Sequence, residues 1–364
     1  MLEFLVTNSC GRCAMQDIKL KSAAGALIIG KLEGFGPSAF AKLAARFETI
    51  GALLNAREAD LTGVVNITQR NSLMISGHKD LMRAHMEVTA DFDRVIDMGA
   101  QPISIFDDLY PRRLKLIPNA PTVIYAAGDL SPLERAVGCV GTRQPTRFGQ
   151  VVAANMTKML AENGFTIVSG LASGIDSIAH REALAANAPT LAVLGCGLDK
   201  INYGAYELYG MIGDSEGGMV LTEQPLGQEA DRNTLSRRNR IITGLSVGTF
   251  VFQLERDSGT MHTVKYAFRQ GKPMFVPVIP ERFREEPENN TAIDMANMKP
   301  SDFARMCDWK KEYLDAANES SLPSVADSIS GKDDYPRLIE RLNALIQEGK
   351  PEENLEIEQV ATFA

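Results

Sequence analysis

Apolar residues follow two rhythms along this chain. Up to about residue 90 they recur at helical spacing. The stretch 23–32 is apolar and small. After the turn Leu32-Glu33-Gly34-Phe35-Gly36-Pro37-Ser38, the apolar positions Phe40, Leu43, Ala44 and Phe47 fall on one helix face. Short strands are predicted at 95–97 and 102–106. A proline-punctuated connector follows from Tyr110 to Pro121, and then a strand-like run at 122–126.

The second rhythm is an alternation of strands and helices. Strands are predicted at 136–140, 165–168, 190–194, 219–222, 249–254 and 273–278. Helices are predicted between them at 150–163, 175–187, 203–212, 238–245 and 262–270. The strands are mostly unbroken apolar runs, as expected when helices cover both faces of a sheet. Such alternation implies right-handed crossovers and an α/β fold, a doubly wound, mainly parallel sheet. Beyond residue 280 the chain turns polar. The stretch 281–290 is charged with no apolar period and reads as an exposed loop or a partly disordered insertion. The stretch 336–347 reads as an amphipathic helix with Leu338, Ile339, Leu342 and Ile346 on its stripe and Pro336 at its start. The tail from 348 is acidic. The expected organisation is a helical domain at 1–90, a sheet domain at 91–280, and a polar insertion, helix and acidic tail at 281–364.

Five polar turns border the predicted strands, and in a parallel sheet such turns meet ligands at the carboxyl edge. The first, Gly141-Thr142-Arg143, combines close backbone approach, a hydroxyl and a planar cation suited to phosphate. The second runs from Ser169 and Gly170 through Ser173 and Gly174 to Asp176. Its glycine spacing is not the dinucleotide fingerprint, and no Walker A pattern occurs in the chain. Asp176 is placed to cap a helix. With His180 one turn later it is also placed for acid–base chemistry. The third turn, Gly195-Cys196-Gly197-Leu198-Asp199, leads to Lys200. The fourth carries Arg237, Arg238, Asn239 and Arg240, with Arg232 just before. Only Glu229 and Asp231 are acids close by in sequence, so positive charge dominates locally. The fifth, Asp257-Ser258-Gly259-Thr260, opens a helix that carries Lys265; its hydroxyls and free N–H groups suit an anion. Tyr203 and Phe148 are candidates for stacking on bases. The Gly34-Phe35-Gly36 turn resembles a helix-hairpin-helix. Such a turn either meets a DNA phosphate or simply joins two helices.

Net charge is −8 and the sequence pI is about 5.3, so any polyanion site is a local patch on an acidic body. No apolar run is long enough to span a membrane and no signal pattern opens the chain, which gives a cytoplasmic location as the expectation. The five cysteines are too scattered for a disulfide scaffold. Cys10 and Cys13 form one CxxC with no second pair to complete a zinc site, so no metal and no cofactor is expected.

Taken together, these residues resemble the DNA processing protein A (DprA/Smf) family. The resemblance rests on Ser169–Asp176 with Ala179-His180, Val193–Asp199, Thr222-Glu223-Gln224-Pro225-Leu226-Gly227, Arg238–Ser246 and Ser258-Gly259-Thr260, in that order. Tyr110-Pro111 and the stretch 121–128 resemble the family's lead-in. The resemblance implies an extended Rossmann-like domain that binds single-stranded DNA, forms a homodimer and helps load a RecA-type recombinase, without catalysis of its own. It also implies that Arg143, Lys200, Arg237, Arg238 and Arg240 face the DNA backbone. Gly141-Thr142-Arg143 departs from the family's commoner Gly-Ser-Arg, and no C-terminal winged helix is seen. A nucleotide-binding sensor or nucleotide-processing enzyme on the same fold, in a DNA-defence setting, is the alternative. Against an enzyme of the phosphoribohydrolase kind, Thr263 stands where the catalytic Glu would be. The missing fingerprint argues against a dehydrogenase.

Overall fold

A computed structural model describes residues 15–348. Cys10, Cys13 and residues 349–364 of the acidic tail lie outside the described residues. The chain divides into two compact units. The described part of the first comprises residues 15–110 and 118–125, and that of the second residues 111–117 and 126–348.

In the first unit α1 (Ala23–Gly30), α2 (Pro37–Arg46), α3 (Ile50–Leu54), α4 (Glu58–Leu61) and α5 (Ile67–Asp97) enclose a core built on Leu20, Ile28, Ile29, Leu43, Ile50, Leu61 and Leu81. Ser22 caps α1 by accepting from the N–H of Gly25 at 3.1 Å. The turn after α1 is a helix junction. Phe35 is buried in the core, and Gln69 donates through Nε2 to the Gly34 carbonyl at 2.6 Å. The strand expected at 95–97 is instead the end of α5. Its buried positions Leu81, Ala84, Val88 and Val95 keep helical spacing to the end, so the core stripe overrides the short β-prone sequence. Strand β1 (Ala100–Ser104) pairs with β2 (Val123–Ala127).

In the second unit seven strands lie in the order β6-β5-β4-β3-β7-β8-β9. They are β3 (Ala136–Val140), β4 (Thr166–Ser169), β5 (Thr190–Leu194), β6 (Gly218–Thr222), β7 (Thr249–Val251), β8 (Met274–Pro277) and β9 (Asp327–Ile329). Every neighbouring pair is parallel. The fold is the expected α/β, Rossmann-like one. The chain moves outward from β3 to β6, then returns to β7 on the other side of β3. This reversal places a crevice at the carboxyl ends of β3 and β7.

Helices α6 (Arg112–Lys115), α7 (Arg147–Glu162), α8 (Ile175–Ala185), α9 (Tyr206–Gly213), α10 (Arg232–Leu245) and α11 (Gly259–Arg269) complete the sheet layers. Helix α10 begins six residues before the sequence predicts, because Asp231 and Thr234 form a reciprocal cap. The loop expected at 281–290 is also corrected. Helix α12 (Pro287–Asn297) starts there, with Asn289, Ala292 and Met295 buried. Asn289 accepts at Oδ1 from Gln253 Nε2 at 2.6 Å, so a polar residue anchors a segment whose apolar period is weak. Helices α13 (Pro300–Met306) and α14 (Lys311–Glu319) follow, with Trp309 packed edge-on to Phe268 and Phe303. Helix α15 (Tyr335–Glu348) buries Leu338, Leu342 and Ile346 in the core of this unit.

Candidate nucleic-acid interface

The carboxyl edge is assembled by main-chain and hydroxyl contacts between turns far apart in sequence. At the first turn, Thr142 donates its N–H to Gln253 O at 2.8 Å and accepts at its carbonyl from Ile175 N at 3.1 Å. Thr260 Oγ1 donates to Gly141 O at 2.8 Å. The β3 turn, the start of α8 and the start of α11 are thereby held together. Gln253 is the hub that sequence reasoning missed. It is fully buried, its Oε1 accepts from Thr146 N at 3.0 Å, and its Nε2 donates to Thr146 Oγ1 at 2.9 Å. Its only signal is one polar residue in the apolar run Val251-Phe252-Gln253-Leu254.

The Ser169–Asp176 turn is braced from below. Ser169 Oγ donates to Cys139 O at 2.6 Å. The Asp176 carboxylate accepts from Gly170 N at 3.2 Å and from Ala172 N at 3.4 Å. Gly174 sits at φ +79°, where a side chain would be strained and would overlap the Thr142 carbonyl. Ser173 is exposed at the tip. The N–H groups of Ser173 and Gly174 find no acceptor among the described residues, nor do those of Gly259 and Thr260 in the first turn of α11. These are donors that a phosphate can take.

The third turn is closed on itself. Gly197 donates its N–H to Gln228 O at 2.8 Å, and Asp199 Oδ1 accepts from Gly227 N at 2.8 Å. Gly195 and Gly197 are buried, which corrects their reading as open phosphate contacts; the exposed group this turn presents is Lys200.

The arginine cluster splits into two kinds, which corrects its reading as a uniformly basic face. Arg237 is exposed. Arg238 is only 4% exposed and lies directly beneath Gly170, where a Cβ would overlap its guanidinium. Its Nη1 donates to the Val193 carbonyl. Its charge opposes the effect of burial on Asp176, which holds that carboxyl above its ordinary value. Arg240 is 6% exposed and forms a two-pronged pair with Glu223 at 2.7 and 2.6 Å. The neutralising acids come from other elements, which is why sequence neighbours do not reveal them. Asn239 is buried and donates to Gly259 O at 3.3 Å. Ser258 donates through Oγ to Glu255 O at 2.7 Å. Lys265 lies half-buried on α11, near His262.

Of the aromatic candidates, Tyr203 is 90% exposed and meets Tyr206 edge-on. Phe148 is buried and stacks on Phe283 with centroids 4.7 Å apart, which removes it as a stacking platform for bases.

His180 serves the fold. Its Nδ1 lies 2.7 Å from Thr190 Oγ1, whose hydroxyl donates onward to Ile167 O at 2.9 Å, so the ring N–H is on Nδ1. Burial pushes the ring's pKa down to about 3, with the Arg238 cation adding to the effect. The unfolded chain takes up a proton near 6.5 that the native state refuses. Stability is therefore full above pH 6.5 and falls as pH drops toward 3, by up to about 1.4 kcal/mol per pH unit from this group. Urea unfolding of wild type and His180→Leu across that range is expected to give a shallower acid limb in the variant. Equal limbs would contradict this assignment.

Residues 101–302, more than half of the chain, match the family model for DNA recombination-mediator protein A. The chain belongs to this family. It is 34% identical over 251 residues to protein Smf of Synechocystis sp., covering 67% of this chain and 62% of that one. It is 36% identical over 181 residues to DNA processing protein DprA of Bacillus subtilis, covering 49% and 61%. The chain thus spans about three-fifths of the length of these relatives. Among solved structures, DprA from Streptococcus pneumoniae superposes with a TM-score of 0.62 at 21% identity, over 86% of this chain and 97% of that one. DNA processing protein A from Helicobacter pylori, described for its single-stranded DNA binding mode, gives 0.50 at 24% identity, over 67% and 96%. At these identities the structures establish a shared fold. Among the described residues no cluster of metal-ligating side chains occurs, and no helix is long and apolar enough to cross a membrane.

Proposed function

We propose that this family member binds the phosphate backbone of single-stranded DNA along the carboxyl edge of its sheet. The observation that carries the reading is a set of three exposed cations, Arg143, Lys200 and Arg237. Arg143 and Lys200 project from turns at the ends of β3 and β5 and Arg237 from helix α10, and none is ion-paired among the described residues. The unused N–H groups of Ser173, Gly174, Gly259 and Thr260 add neutral donors. Tyr203 and Tyr206 offer a surface for unstacked bases. Arg238, Asn239 and Arg240 act from within, holding the turns in place.

The protein binds and delivers rather than turns over. Asp176 and His180, the pair placed for acid–base chemistry, are both committed to holding the fold. In this reading the chain acts in the cytoplasm, and it forms a homodimer and hands its DNA to a RecA-type recombinase; support for the dimer and the recombinase is the family resemblance. An anisotropy titration with a labelled thymidine oligonucleotide is expected to show binding at least tenfold tighter than to a duplex of equal length, because only the single strand exposes base faces. Equal affinity for both would overturn the single-strand reading.

A further inference from the structure

One buried residue holds both ends of the loop that presents Arg143, and a segment beyond the sheet sets that residue's orientation. Gln253 accepts at its main-chain O from Thr142 N at 2.8 Å. Its side chain reaches the other end of the loop. There Oε1 accepts from Thr146 N at 3.0 Å, and Nε2 donates to Thr146 Oγ1 at 2.9 Å. Thr146 in turn caps α7 by accepting from Gly149 N at 3.4 Å. Gly149 leaves the room for this, since a Cβ there would overlap the Gln253 amide. Arg143 stands exposed between the two fixed points.

A side-chain amide can sit either way round, and only one way gives Thr146 N the oxygen it needs. The choice is made at α12. Asn289 is fully buried. Its Nδ2 donates to Phe283 O at 2.9 Å and to the Glu286 carboxylate at 3.1 Å, two groups that accept only. Asn289 therefore turns Oδ1 toward Gln253, and Gln253 answers with Nε2 at 2.6 Å. That leaves Gln253 Oε1 for Thr146. Both amides are fully engaged, so a flip of either one breaks the chain of contacts at two places. We propose that Asn289 is a positioning residue for the carboxyl-edge phosphate site: through Gln253 it holds the 142–146 loop in the shape that presents Arg143 to a phosphate. This role rests on the reading of Arg143 as a backbone-facing cation. The segment 281–297 then serves the site without touching its ligand.

The test is a double-mutant cycle on the full chain, read by anisotropy of a labelled thymidine oligonucleotide at 0.1 M salt. Losing one phosphate contact is worth about fivefold there. Asn289→Leu is expected to cost most of that factor in the wild-type and Lys200→Gln backgrounds, and nothing further in Arg143→Gln. Damage to the fold at large would cost the same in all three. Gln253→Leu/Asn289→Leu replaces both amides by apolar groups of similar size, which keeps α12 seated, and is expected to show the same loss and the same dependence on Arg143. Amide hydrogen exchange without DNA supplies the independent reading: Thr146 N–H is expected to exchange faster in both variants, with Gly197 N–H unchanged. An equal loss in the Arg143→Gln background, full affinity in both variants, or unchanged exchange at Thr146 would overturn the proposal. Faster exchange at Thr146 in variants of a wild type that binds no oligonucleotide would uphold the Asn289–Gln253 hold on the loop and overturn the DNA reading instead.

Discussion

Replacing Arg238 by Met is expected to destabilise the protein by about 3 kcal/mol, far more than removal of an exposed arginine. The guanidinium is buried beneath Gly170, donates to the Val193 carbonyl and compensates the buried carboxylate of Asp176. Met fills much of the same volume, so the loss is mainly electrostatic. Asp176 is then left with the N–H groups of Gly170 and Ala172 as its partners. DNA affinity is expected to fall as well, because the Ser169–Asp176 turn loses the cation that seats it. Adding Asp176→Asn to Arg238→Met removes the uncompensated charge and is expected to restore part of the stability. Urea unfolding of the two variants checks both statements. A loss below about 0.5 kcal/mol in Arg238→Met would place Arg238 with ordinary surface arginines.

The second large effect is on binding with the fold untouched. Arg143, Lys200 and Arg237 are exposed and unpaired among the described residues, so changing all three to Gln is expected to leave the unfolding midpoint within about 2 °C of wild type. Each neutralised phosphate contributes about 0.7 to the salt exponent of single-strand binding, so three of them amount to about a hundredfold in affinity at 0.1 M salt. Changing Arg240 does not belong to this class, because its charge is already taken by Glu223.

These contrasts mark what the sequence can and cannot disclose. Strands 136–140 and 190–194 are legible at their observed bounds, since both, Thr190 apart, are apolar runs buried on both faces. The turns that follow them are legible for the same reason, as small polar residues at the ends of those runs. The start of α10 escapes the sequence pattern because its cap uses Thr234, a weak signal, where Glu or Gln would have announced it. Helix α12 escapes it because Asn289 is buried by pairing with Gln253, 36 residues away. The division of labour among the arginines is equally hidden. Arg237 and Arg238 are adjacent in sequence, yet one faces water and the other lies under a glycine. Only tertiary placement, with Glu223 and Asp176 arriving from other elements, separates backbone-facing cations from framework cations.

The most direct measurement is fluorescence anisotropy of a labelled thymidine oligonucleotide titrated with wild type and with Arg143→Gln/Lys200→Gln/Arg237→Gln over a series of salt concentrations. Wild-type affinity is expected to fall steeply with salt, and the slope of log K against log salt to be shallower by about 2 in the variant. Absence of wild-type binding at low salt, or parallel slopes for the two proteins, would contradict a DNA backbone track on the carboxyl edge.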